Sequence, residues 1–140
     1  MTKTFLPCVI VALVASSAVR LGAAQIPEKA AEASATAWLA VVDAGKYGDS
    51  WDEAAALFKQ ALTRSQWEAA LEKARRPLGK VIARKLRGAK FLTESPNGPA
   101  GEYVVLQFDT SFEHMPSATE TITPMKDKDG AWRVSGYYIK

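Results

Sequence analysis

The chain has 140 residues with 18 Lys plus Arg, 15 Asp plus Glu, one His and one Cys. A single histidine excludes multi-histidine metal sites and histidine pairs, and a single cysteine excludes an internal disulfide. The formal charge of +3 is too small to support binding to a phosphate backbone, which needs clustered cations, so no nucleic-acid partner is expected.

The chain opens with the pattern of an export signal: Lys3, an apolar stretch from Phe5 to Val19, and the small residues Gly22-Ala23-Ala24. A signal peptide over residues 1–24 is therefore expected, with Gln25 as the mature start and a cut after Ala18 as the second choice, because Arg20 lies close to the first. A membrane anchor would need about 20 apolar residues. This run is shorter and is broken by Pro7, Ser16, Ser17 and Arg20. Cys8 precedes most of the apolar run, the wrong place for lipid attachment. Loss of the leader removes Lys3, Arg20 and Cys8, leaving a nearly neutral chain with no thiol. The expectation is a periplasmic or secreted protein, one domain over residues 25–140, without stable membrane insertion after cleavage.

Three helices are expected next. Pro27 suits a first helical position, Glu28 and Glu32 favour the positive helix start, and Gly45 suits a stop. Ala30, Ala33, Ala37, Trp38, Val41 and Ala44 form the expected inner face. Ser50-Trp51-Asp52-Glu53 reads as a capping box opening a second helix, and Thr63-Arg64-Ser65-Gln66 as one opening a third. The buried stripe of the third is expected at Trp67, Ala70, Leu71 and Ala74, with Pro77 and Gly79 ending it. Arg75-Arg76 is expected to serve the negative end of that helix.

From Lys80 the apolar period changes to two. The first strand is expected over Val81 to Leu92, bent at Gly88, and Ser95 to Pro99 is a turn-rich link. The second carries Val104, Leu106, Phe108 and Phe112 on its dry side and Gln107, Asp109 and Ser111 on the other. The third runs from about Ser117 to Met125 and the fourth from Ala131 to Ile139, with Asp129-Gly130 as the tight turn. Helices followed by an antiparallel meander make an α+β fold, with the helices on one face of a four-stranded sheet.

Several local patterns resemble a family of small exported bacterial proteins, the domain of unknown function 4019. They are Trp38 with Asp43, Ser50-Trp51, Gln66-Trp67, Arg76-Pro77-Leu78-Gly79, Arg84, Gly101 to Val105, Glu120-Thr121 and Asp129 to Tyr137. The resemblance implies an exported globular domain with no assigned activity, catalytic set or cofactor. The helix-then-sheet order is also similar to the cone-shaped fold of nuclear transport factor 2 and ketosteroid isomerase, and to cystatin-like domains. Such folds host enzymes and binders alike.

No glycine-rich phosphate loop, GxSxG elbow or HExxH pair is present. Asp127-Lys128-Asp129-Gly130 is too short for a calcium loop and reads as a hairpin turn. His114, in the link between strands two and three, reads as an exposed loop residue. No metal, cofactor or catalytic set is expected. The charged positions of interest are Arg84 and Glu120. If Ile82 and Leu86 face the helices, so does Arg84. If Phe108 pairs with Ile122 and Ile122 with Val134, Glu120 lies near Thr110 and opposite Gly136, whose missing side chain makes room. Inward charges are rarely unpaired, so an Arg84–Glu120 ion pair is expected, either as a bridge that holds strand register or as the polar floor of a pocket. Trp38 and Tyr137 are the aromatic candidates for that pocket, although core packing accounts for most of Trp38, Trp51, Trp67 and Trp132.

The reading favoured by these residues is a noncatalytic binding module. It would hold a small molecule between helices and sheet, or dock an envelope protein through an outer face carrying Thr119, Thr121, Thr123, Arg133 and Ser135. The alternative is a small acid–base enzyme, of isomerase or dehydratase type, using Glu120 with Arg84. Self-association as a homodimer through the exposed sheet is a third reading.

Overall fold

The computed structural model describes residues 26–95 and 98–140. The expected leader lies outside the described residues, as do Pro96 and Asn97 of the turn-rich link. Four α-helices come first: α1 (Ile26–Asp43), α2 (Tyr47–Asp52), α3 (Ala56–Ala61) and α4 (Arg64–Ala74). A short 3-10 turn at Arg76–Leu78 follows, then β1 (Val81–Leu92), β2 (Tyr103–Phe112), β3 (Met115–Lys126) and β4 (Trp132–Ile139). The strands form one antiparallel sheet in the order β1-β2-β3-β4, and the helices pack against it in an α+β arrangement. Among the described residues no helix is long and apolar enough to cross a membrane.

α1 ends where expected. Gly45 takes a φ of +76°, and the chain folds back so that Lys46 N donates to Val41 O at 3.2 Å. Its buried face is Ala31, Ala35, Trp38, Leu39 and Val42, rotated from the expected stripe and sharing only Trp38 with it. Alanines lie all around this helix and each contributes little on burial, so the large residues Trp38, Leu39 and Val42 decide the face.

The capping box expected at Ser50 is not formed. α2 already starts at Tyr47, and Ser50 is fully buried within it. Its hydroxyl donates to Tyr47 O (2.6 Å) and accepts from Trp67 Nε1 (2.9 Å), while its carbonyl accepts from Trp38 Nε1 (2.7 Å). One serine thus satisfies two buried indoles, whose rings lie 6.0 Å apart. Trp51 donates to Leu62 O at 2.8 Å, and both Trp51 and Trp132 pack partly buried against the core. The capping box at Thr63 does form, with Thr63 Oγ1 accepting from Gln66 N and Gln66 Oε1 accepting from Thr63 N. α4 buries Trp67 and Leu71, but Ala70 and Ala74 are exposed.

The strands follow the alternation, with Val104, Leu106, Phe108, Thr110 and Phe112 buried on β2. The pairing differs from expectation. Phe108 faces Glu120 and Leu106 faces Ile122, a shift of two residues that leaves every side chain on its expected face. Between β3 and β4 the partners are Ile122 with Tyr137, Thr123 with Gly136 and Pro124 with Val134, so Ser135 is an extra residue. Pro124 has no N–H for the ladder, and Ser135 Oγ donates to Thr123 O at 2.8 Å where the pairing slips. Gly136 therefore lies opposite Thr123, and Glu120 lies opposite Ile139. β1 bulges at Ile82, which is 66 % exposed, and at Arg87 beside Gly88. Asp129-Gly130 forms the expected turn, with Gly130 at a φ of +83°.

A buried ion cluster and an adjoining groove

Arg84 and Glu120 meet on the helix-facing side of the sheet. Strand pairing sets Arg84 beside Thr110 and Phe108 beside Glu120, so the four residues occupy neighbouring positions on three strands. Arg84 Nε donates to Glu120 Oε1 at 2.7 Å and Nη2 to Oε2 at 3.3 Å. Thr110 Oγ1 donates to Oε1 at 2.6 Å, and the Tyr137 hydroxyl donates to Oε2. Glu120 is 0 % exposed and accepts four hydrogen bonds. An ionised carboxylate has about four acceptor sites, so this one is saturated.

Arg84 turns its other edge to α1, where Nη1 donates to Asp43 Oδ2 at 2.7 Å and Nη2 to Oδ1 at 3.0 Å. Arg75, at the end of α4, completes the cluster. Its side chain is 4 % exposed, donates to Asp43 Oδ1 (3.3 Å) and Gly79 O (2.6 Å), and lies 4.6 Å over the Phe112 ring. Its Nε is buried without an acceptor. Arg75 therefore does more than face a helix end, as its position in sequence suggested: it joins α4 to α1. Two arginines and two carboxylates alternate, and the cluster is neutral. Of its four charged side chains, Asp43, 26 % exposed, and Arg84, 16 % exposed, are the most open to solvent.

Burial acts to lower the basicity of Arg84, and its hydrogen bonds to Asp43 and Glu120 more than reverse this, so the guanidinium stays charged. Tyr137 is held well above the ordinary phenol range by burial first and then by the charge of Glu120. It is a fixed proton donor at neutral pH.

Of the four site candidates, all converge. Trp38 meets Tyr137 edge-on at 5.4 Å, and Tyr137 bonds Glu120, which bonds Arg84. Sequence reasoning missed Asp43 and Arg75. The expected premise for Arg84 held only in part, since Leu86 packs inward while Ile82 sits out on a bulge. His114 is exposed in the β2–β3 turn, and its backbone N donates to Leu78 O at 3.0 Å. On the outer face Thr121 is buried, the Ser135 hydroxyl is taken by Thr123 O, and Arg133 is bound to Asp127 and Asp129. Among the described residues no three His, Cys, Asp or Glu side chains converge on a point that would hold a metal.

The open space lies beside the cluster. A groove of about 370 Å³ runs between α4 and the end of β4, and the Tyr137 ring forms part of its floor while its hydroxyl faces Glu120. A hollow of about 630 Å³ lies at the opposite end of β3 and β4, bounded by Leu57, Gln60, Met125 and Arg133.

No curated protein and no solved structure matches the chain, so the likeness to cone-shaped folds rests on element order alone. The model of one family, described as "Protein of unknown function (DUF4019)", matches residues 34–137. That span holds every member of the cluster, from Trp38 to Tyr137, and the chain belongs to this family.

Proposed function

We propose that this protein is an exported, noncatalytic binding domain, and that the Arg84–Glu120 cluster is a structural joint rather than an acid–base centre. The observation that carries the reading is the saturation of Glu120: four donors occupy its oxygens, and it is fully buried. A general base must lie within hydrogen-bond reach of a substrate proton. Here a donor would first have to be displaced from a carboxylate that is 0 % exposed. Concave, accessible and mostly apolar surface lies instead in the groove beside Tyr137, in the size range of ligand sites. Export rests on the leader pattern from Lys3 to Ala24.

Native mass spectrometry of the protein purified from the cell envelope tests both parts. The expected species starts at Gln25 and carries a ligand or partner. The Arg84→Met, Glu120→Gln double variant should retain the same species, chemically unaltered. A full-length cytoplasmic form would contradict export, and a small molecule transformed by the wild type but not by the double variant would make the protein an enzyme.

A further inference from the structure

We propose that the groove between α4 and the free edge of β4 receives an extended segment of a partner protein, with alternating apolar and acidic side chains, as a fifth strand beside β4. This rests on the binding reading above and names the occupant.

β4 is an outer strand of the sheet. Its first half is covered: Ser34 Oγ donates to Trp132 O at 2.6 Å and Ala55 N to Val134 O at 2.8 Å. The extra residue at Ser135 then reverses which backbone groups face outward. Lys140 exchanges both of its bonds with Thr119, at 2.8 and 2.9 Å. Successive residues point opposite ways, so Ile139, and Tyr137 two residues before it, turn N–H and C=O toward the open side. Among the described residues none hydrogen-bonds them from that side. The other outer strand is differently finished. β1 has two bulges and carries Lys85, Arg87 and Lys90, the usual devices against edge pairing.

Beside the open stretch of β4 lies the groove, lined by the buried Trp67 and Leu71 and the exposed Ala70 and Ala74 of α4 and by Tyr137 and Ile139 of β4, and reaching Leu78 and the start of β3 at Met115. The two alanines are exposed and leave a flat wall with room for incoming side chains. No Asp or Glu side chain lines the groove, and Lys140 has its one charged lining side chain. On α4, a turn of 100° per residue places Lys73 on the Ala70 side and Glu68 and Glu72 on the opposite flank, where Arg64 and Arg76 pair with them. An incoming strand thus meets an apolar floor on the helix side and, on the outer side, Lys140, whose Nζ lies 5.8 Å from the Tyr138 ring. Its alternate side chains face opposite ways, so apolar residues inward and acidic residues outward match the surface. A small apolar molecule would leave the Tyr137 and Ile139 amides without partners. A second copy of this chain would bring its own Lys140 to the same side.

The test uses an acetylated, amidated octapeptide alternating valine and glutamate, and its valine–lysine counterpart, titrated into the mature protein. The expected result is binding of the glutamate peptide alone, with hydrogen exchange at the Tyr137 and Ile139 amides slowed about tenfold or more. Ala70→Glu, a change at an exposed helical position, should weaken binding about tenfold or more with an unchanged melting temperature. No binding, binding without amide protection, or equal binding of the lysine peptide overturns the proposal. So does a dimer that Ala70→Glu converts to monomer, since the occupant is then a second copy. If the peptide fails while an envelope small molecule is retained, the strand proposal falls and the binding reading stands; if nothing is retained either, both fall.

Discussion

At the scale of single residues, the buried polar groups decide more than their number suggests. Ser50 serves two indoles and a carbonyl, so Ser50→Ala should cost about 1–3 kcal/mol in urea unfolding, chiefly by leaving Trp67 Nε1 without an acceptor. His114→Ala, at an exposed turn, should stay within about ±0.5 kcal/mol. Tyr137 gives a pH signature. Its folded-state proton is held more tightly than the unfolded chain holds it, so the stability it contributes is fully present below the unfolded value of about 10 and falls above it, by about 1.4 kcal/mol per pH unit. Tyr137→Phe should be less stable at neutral pH, because Glu120 loses a donor, and the gap should narrow as pH rises past about 10. Parallel stability curves for the two proteins would contradict this.

Elements show what was legible in the sequence and what was not. Period-two alternation put Arg84 and Glu120 on the correct face, and the two-residue error in β2–β3 pairing did no harm because an even shift preserves faces. The β3–β4 slip was signalled by Pro124, which lacks a ladder donor, but nothing local shows that Ser135 is the residue pushed out. Asp43 was missed because alanine-rich α1 offers two apolar stripes, and only the packed structure selects the one carrying Leu39 and Val42. Ser50 had the spacing of a cap but sits inside a helix beside two buried indoles, a tertiary demand that local pattern does not express. Asp43 now reads as the anchor of the end of α1. Asp43→Asn should cost about 1–3 kcal/mol and raise hydrogen exchange at Val41 and Val42 before it does so in the sheet.

Across the whole molecule, core burial supplies stability and the ion cluster supplies position. Each well-buried side chain such as Leu39, Ile122 or Val134 contributes about 1.5–3 kcal/mol, whereas a buried ion pair is often no better than apolar residues in its place. What the cluster does is link α1, α4, β1, β2, β3 and β4 through a single set of bonds. Helices followed by a four-stranded meander were readable from periodicity, but the single helix expected from Ser50 is two short ones, α2 and α3, and the groove was not readable, because it depends on the space left between α4 and β4. The double-mutant cycle of Arg84→Met and Glu120→Gln, followed by urea unfolding, tests the joint directly. Each single change should cost about 3–5 kcal/mol by stranding a charged or polar partner, and the double change should cost less than the sum, with a coupling above about 1 kcal/mol. Small costs that add within about 0.5 kcal/mol would mean that both groups are solvated, and would contradict a buried joint.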